Sequence, residues 1–147
     1  MARLFSGGSR DVAEKTFPLM LSDAEWRKKL TPEQFAVLRG HATERPGTCA
    51  LNHEKRSGFF SCAGCGHKLF VAGTKFESGT GWPSFHDPIE GSVGTTVDRS
   101  LFMIRTEVHC SHCGGHLGHV FPDGPPPSGL RYCMNGVAME FTPGPAE

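Results

Sequence analysis

Two cysteine pairs, "CAGC" at Cys62 and Cys65 and "CSHC" at Cys110 and Cys113, constrain the fold of this chain more than any other feature. A C-x-x-C turn lets two thiolates converge on one ion, because small residues between and after them permit a tight backbone turn. Two such turns complete a tetrahedral four-sulfur site, so segments about 44 residues apart are expected to meet in space. That separation exceeds the common zinc-ribbon spacing, and the segment between the pairs must then be a folded insert. Four thiolates leave no open coordination position, so a structural zinc ion is expected rather than a catalytic one. Two other uses of the pairs stand beside it. One is a tetrathiolate iron site. The other is a pair of redox-active dithiols, weakened because neither pair opens a helix in a βαβ pattern.

A length of 147 residues suits one domain, with a core covering roughly two thirds of the unfolded surface. Lys and Arg number 15 against 15 Asp and Glu, so no global field attracts a nucleic acid or an anionic membrane. No apolar run approaches the roughly 18 residues of a membrane span. The first residues, "MARLFSGGSRDVAEKTFPLM", lack the apolar centre of a secretory signal. Arg3 and Arg10 suggest a transit peptide, but Asp11 and Glu14 argue against one. A reducing, cytoplasmic protein is expected, and a monomer needs no special feature. In that compartment six cysteines serve as ligands or catalysts rather than as a disulfide framework. The pairing of 19 Gly and 11 Pro with 11 Phe predicts a small sheet-rich fold with many tight turns.

Residues 1–20 show no clear periodicity and are read as an extension, with a domain over 21–142 and a tail over 143–147. Two short helices open the domain. Ser22 caps one with Glu25 three residues on, while Thr31, Pro32 and Gln34 start the second and Gly40 stops it. Trp26, Leu30, Phe35 and Leu38 are the packing residues. From Gly58 onward "GFFSCA", "HKLFVA", "VGTTVD", "LFMIRTEVHC", "HLGHVF" and "LRYCMNGVAMEF" read as strands of an antiparallel body, with a hairpin turn at "VDRSL". Alternation puts Phe102, Ile104, Thr106 and Val108 on one face, and Met103, Arg105 and Glu107 on the other.

Removing the paired cysteines leaves Cys49 and Cys133. A lone strand cysteine often serves as a small buried hydrophobe. Here Arg131 and Asn135 flank Cys133 at two-residue spacing, so a cation, a thiol and an amide project together, and the cation favours the thiolate.

The segments "GTGWPSF", the two C-x-x-C pairs, "HLGHVFPDGP" and "RYCMNG" closely resemble those of the B-type peptide methionine-R-sulfoxide reductases, in the same order, over about Ser22 to Phe141. The resemblance implies a mainly β fold of two antiparallel sheets, the β-tent, with short N-terminal helices and a structural zinc. It also implies reduction of methionine R-sulfoxide, in proteins or free, and recycling by thioredoxin. By resemblance His119 is the nearer acid and His116 its supporter. Because these two cannot share a strand face by alternation, a bend near Gly118 is expected, and Asp123 is read as the group that orients one imidazole. The chemistry agrees, since a sulfoxide sulfur needs both a thiolate and an acid. Trp82 is the expected seat for the S-methyl group, with Phe85 as wall or core. Asn135 is read as a donor to substrate or a tie for its loop. Many family members carry a second cysteine where this chain has Thr80, so the usual resolving position is vacant. Cys49 is then expected to resolve a Cys133 sulfenic acid as a disulfide; otherwise it is a bystander and an external thiol reduces Cys133.

Two other classes compete. A zinc-ribbon interaction module leaves Cys133, Trp82 and the histidines unused, and the neutral charge disfavours nucleic acid. A Cys/His acyl-transfer hydrolase uses the same nucleophile and base. A zinc deaminase is excluded because no H-x-E precedes a C-x-x-C.

Overall fold

The structure, a computed structural model, describes residues 16–99 and 102–145. The expected extension over 1–20 falls outside the described residues up to residue 15, as do Ser100 and Leu101 of the expected hairpin turn and the last two residues of the expected tail.

Helices α1 (Asp23–Lys29) and α2 (Pro32–Leu38) start where their caps predict. The Ser22 hydroxyl accepts from the Glu25 N–H while the Glu25 carboxylate accepts from the Ser22 N–H, and Thr31 and Gln34 repeat the arrangement. Each box satisfies two N–H groups that a helix start otherwise leaves unpaired. Helix α2 ends at Leu38, and the residue that turns into the left-handed region is His41 (φ 59°), not Gly40. Trp26, Leu30 and Leu38 are buried as expected, joined by Val37, while Phe35 is only partly buried.

The strands are β1 (Gly58–Cys62), β2 (Lys68–Val71), β3 (Lys75–Phe76), β4 (Ser84–Phe85), β5 (Val93–Asp98), β6 (Arg105–Cys110), β7 (His116–Phe121), β8 (Arg131–Met134) and β9 (Met139–Pro143). They form two antiparallel sheets, one ordered β2-β1-β9 and the other β3-β4-β8-β7-β6-β5. The run "RYCMNGVAMEF" is therefore two strands. A 3-10 turn at Gly136–Ala138, with Asn135 as its N-cap residue, carries the chain from the large sheet to the small one just past the end of β8. Aromatic packing joins the sheets, because Phe85 of β4 stacks on Phe70 of β2 at 4.2 Å and meets Phe60 of β1 edge-on at 5.0 Å. Each such ring contributes about 1.5–3 kcal/mol through burial.

The strand expected from Leu101 begins only at Arg105. Its last partner on β5 is Asp98, so residues 102–104 have no strand opposite them. Phe102 takes a left-handed φ of 59° and Ile104 is 72% exposed, which corrects the face assigned to them from alternation. From Glu107 to Cys110 every residue is buried, on both faces of the strand.

The expected bend in β7 is a register shift in its pairing with β6. Val108 faces Gly118 and His109 faces His116, so Leu117 is the extra residue and the face parity flips across it. At Gly118 the backbone of Cys133 and Met134 lies where a β-carbon would stand. We expect Gly118→Ala to lower stability by about 1–3 kcal/mol through overpacking. Denaturant unfolding checks this, and a wild-type midpoint would show that β8 can move aside.

Candidate active site and metal centre

The two cysteine turns come together where β1 and β6 end. The Cys62 and Cys113 sulfurs lie 3.8 Å apart, those of Cys65 and Cys110 3.6 Å apart, and all four lie within 4.8 Å of one another. Backbone N–H groups of Gly64 and His112 donate to the Cys62 and Cys110 sulfurs, an arrangement that supports thiolate charge. Cys62, Cys110 and Cys113 are buried, and the cluster links the small sheet to the large one. These four cysteines are positioned to bind a metal ion.

Cys133 lies in the middle of the large sheet, directly opposite Ser84 of β4 on one side and His119 of β7 on the other. His119 in turn faces Glu107 of β6. Residues directly opposite each other project from the same face, so thiol, imidazole and carboxylate form one row across three strands. The shift at Leu117 brings His116 onto that face too, with its ring 5.5 Å from His119 and edge-on to it.

Each imidazole is held by a carboxylate, and neither carboxylate is Asp123. His119 Nε2 is 2.8 Å from Asp98 Oδ2, which also accepts from the Arg105 guanidinium at 3.3 Å. His116 Nδ1 lies 2.9 Å from Glu107 Oε2, and His109 Nδ1 lies 3.0 Å from Glu107 Oε1. Burial works to raise the Glu107 carboxyl, but hydrogen bonds from His109 and His116 override it and bring it down to about 2. Asp123 instead takes both oxygens to Arg131, at 2.9 and 3.1 Å. The expected role of Asp123 is thereby corrected: it faces solvent across the end of β8 and steadies the cation beside Cys133.

Burial pushes the Cys133 thiol up, against the lowering pull of the Arg131 charge and of hydrogen bonds from Thr80 and Arg131. Arg131 acts in the expected direction and burial outweighs it. Burial lowers the His119 pKa, with Asp98 pulling the other way. A cavity of about 250 Å³ opens over Cys133, bordered by Trp82, Thr80, His119, Arg131 and Asn135. His116 is not on its border but lines a neighbouring cavity that also takes in His119. The Trp82 indole N–H donates to the Glu44 carbonyl at 3.0 Å, which fixes the ring plane. Asn135 serves as a tie: its amide donates to the Leu117 carbonyl and its oxygen accepts from the Glu44 N–H.

Phe85 is fully buried in the core and is no wall of this cavity, so its place among the substrate contacts is corrected. Cys49 packs against Gly136, three residues beyond Cys133, and burial raises its pKa. It is not among the residues bordering the Cys133 cavity.

Sequence reasoning missed Glu44, Asp98 and Glu107. The Glu44 carboxylate accepts from the Val137 N–H at 3.0 Å, so one residue holds Trp82, Asn135 and the 3-10 turn together. The carboxylates themselves, Asp98 at the end of "VGTTVD" and Glu107 inside "LFMIRTEVHC", were the one available signal. Because Asp98 raises the His119 pKa against burial, Asp98→Asn is expected to move its titration midpoint lower still. NMR titration of the imidazole checks this; an unmoved midpoint, or an equal movement in Asp123→Asn, would contradict the assignment.

Residues 30–143 match the SelR domain family. The chain is 54% identical over 123 residues to the peptide methionine sulfoxide reductase MsrB of Agrobacterium fabrum, covering 83% of this chain and 91% of that protein. It is 58% identical over 120 residues to that of Pseudomonas putida strain W619, covering 81% and 90%. With MsrB of Leifsonia xyli subsp. xyli the identity is 50% over 135 residues, covering 90% and 97%. The bulged β7 that presents both histidines and the paired cysteine turns all fall inside the matched segment, and the chain belongs to the SelR domain family.

Proposed function

We propose that this chain reduces the R epimer of methionine sulfoxide to methionine, in proteins or as the free amino acid, through a reductase domain over residues 21–142. The cross-strand pair of His119 and Cys133 beneath the Trp82 wall is the observation that carries this reading. The S-methyl group lies on the indole face, a contact worth up to about 1.5 kcal/mol. The Cys133 thiolate attacks the sulfoxide sulfur while the His119 imidazolium gives its proton to the oxygen. The hydroxyl then passes from the methionine sulfur to the Cys133 sulfur as the S–S bond formed in the attack breaks, so methionine leaves and Cys133 is left as a sulfenic acid carrying the oxygen. Arg131 and the Thr80 hydroxyl stabilise the thiolate before attack.

The Cys49 thiol then displaces hydroxide from the sulfenic sulfur, forming a Cys49–Cys133 disulfide and water, and a thioredoxin dithiol reduces it. The packing of Cys49 against Gly136, three residues beyond Cys133, and the left-handed Gly47 nearby support this route. The ion at the four cysteines is zinc. A Zn–S bond of about 2.3 Å gives tetrahedral sulfur separations of about 3.8 Å, which the 3.6 and 3.8 Å distances fit. This zinc supplies folding energy and takes no part in the redox step. The protein acts as a monomer in the cytoplasm, and among the described residues no helix is long and apolar enough to cross a membrane.

Assay with separated sulfoxide epimers and dithiothreitol should give turnover of the R epimer, lowered by about three orders of magnitude or more in Cys133→Ser. Turnover of only the S epimer, or full activity in Cys133→Ser, would overturn the reading. Cys49→Ser should keep dithiothreitol-driven turnover and lose thioredoxin-driven turnover; equal thioredoxin rates would make Cys49 a bystander. Metal analysis should find about one zinc per chain, lost in Cys110→Ser together with cooperative unfolding. A metal-free, stably folded wild type would contradict the zinc assignment.

A further inference from the structure

A second cavity of about 670 Å³ shares His119 with the Cys133 cavity, and four imidazoles and two carboxylates reach its lining. His116 is 98% buried, and its Nε2 has no hydrogen-bond partner among the described residues. An unpaired ring nitrogen at that depth costs on the order of 1–3 kcal/mol unless something binds it. Its other nitrogen faces the ionised Glu107 carboxylate at 2.9 Å, which holds the ring proton on Nδ1 and turns the Nε2 lone pair outward. A carboxylate behind an imidazole is the arrangement that prepares a histidine to ligate a metal. The His41 ring lies against that of His116, tilted by 30° with centroids 4.9 Å apart, and ligand atoms of His41, Glu107 and His116 lie within 4.8 Å of one another.

We propose a second metal site, for a divalent first-row transition ion, with His41 and His116 Nε2 as direct ligands and Glu107 as the carboxylate that orients His116. Two imidazoles select such an ion over magnesium or calcium, which prefer oxygen donors. The remaining coordination positions open to the cavity, and the exposed His41 gives the ion its way in. Burial lowers the His41 pKa, which keeps the ring in its neutral, ligating form near neutral pH. At His41 the carboxylates Glu107 and Asp98 act against His116 and Arg39, and a neutral, ligating His116 leaves that balance open to a dication. An ion there fixes His116 at 5.5 Å from His119, so that metal supply bears on the acid of the Cys133 cavity. Binding itself does not rest on the proposed reductase reaction.

The test titrates cobalt(II) into protein whose four-cysteine site is already filled with zinc. The expected result is one further equivalent, with visible bands of nitrogen and oxygen coordination and no near-ultraviolet thiolate charge transfer. His41→Asn, whose side chain tolerates the left-handed backbone at this position, should weaken that uptake at least about tenfold. His53→Gln, remote from the cavity, should leave it unchanged, and Glu107→Gln should weaken it while His41 is intact. No second equivalent, bands of thiolate coordination, or equal uptake by His41→Asn would each overturn the proposal.

Discussion

The antiparallel pairing of β7 with β8, which sets His119 directly opposite Cys133, is the constraint on which the site depends. Directly paired residues in antiparallel strands have β-carbons about 4.5–5.5 Å apart. An imidazole and a thiol in that relation need no loop to bring them together. The sheet extends the row to Glu107, and the next positions along supply Arg131 beside Phe121, where the guanidinium lies 4.6 Å from the ring centroid. Two local features make the pairing possible. The extra residue at Leu117 brings His116 onto the same face as His119, and Gly118 lets β8 approach closely enough to pair.

Strand β6 connects the two chemistries of the molecule. Its first residue, Arg105, borders the Cys133 cavity, its third, Glu107, holds His116, and its last, Cys110, belongs to the four-sulfur cluster. Closing that cluster fixes the end of β6 against β1 and thereby the register of the row that carries Glu107. The four clustered sulfurs have one another as neighbours, whereas Cys133 has a guanidinium, a hydroxyl and an imidazole. The same element therefore serves as ligand in one place and as nucleophile in the other, separated by partners rather than by intrinsic reactivity.

What could be read from the sequence was whatever local spacing determines. Capping residues fixed both helix starts, the C-x-x-C pairs announced the cluster, and two-residue periodicity put Arg131, Cys133 and Asn135 on one face. The groups that escaped notice are set by register between distant strands. Asp98 reaches His119 only because β5, β6 and β7 pair in one particular alignment, and nothing near "HLGHVFPDGP" distinguishes that partner from the closer Asp123. Glu44 acts mainly through its backbone, for which its side chain gives no sign. Alternation misled at Phe102 and Ile104, because a strand pattern makes a strand only where another strand lies opposite. The sequence leaves Phe85 open as wall or core, because its closeness to Trp82 does not say which side of β4 it takes; its ring lies between the sheets against Phe60 and Phe70.

The central claim is that Cys133 itself receives the sulfoxide oxygen, and its most direct test is intact-protein and peptide mass spectrometry after one turnover of zinc-loaded Cys49→Ser with no reductant present. The account predicts that the peptide containing Cys133, and no other cysteine peptide, gains the mass of one oxygen atom and reacts with a sulfenic acid probe. An unmodified Cys133 after stoichiometric methionine release, or oxygen found instead on a cysteine of the four-sulfur cluster, would contradict it.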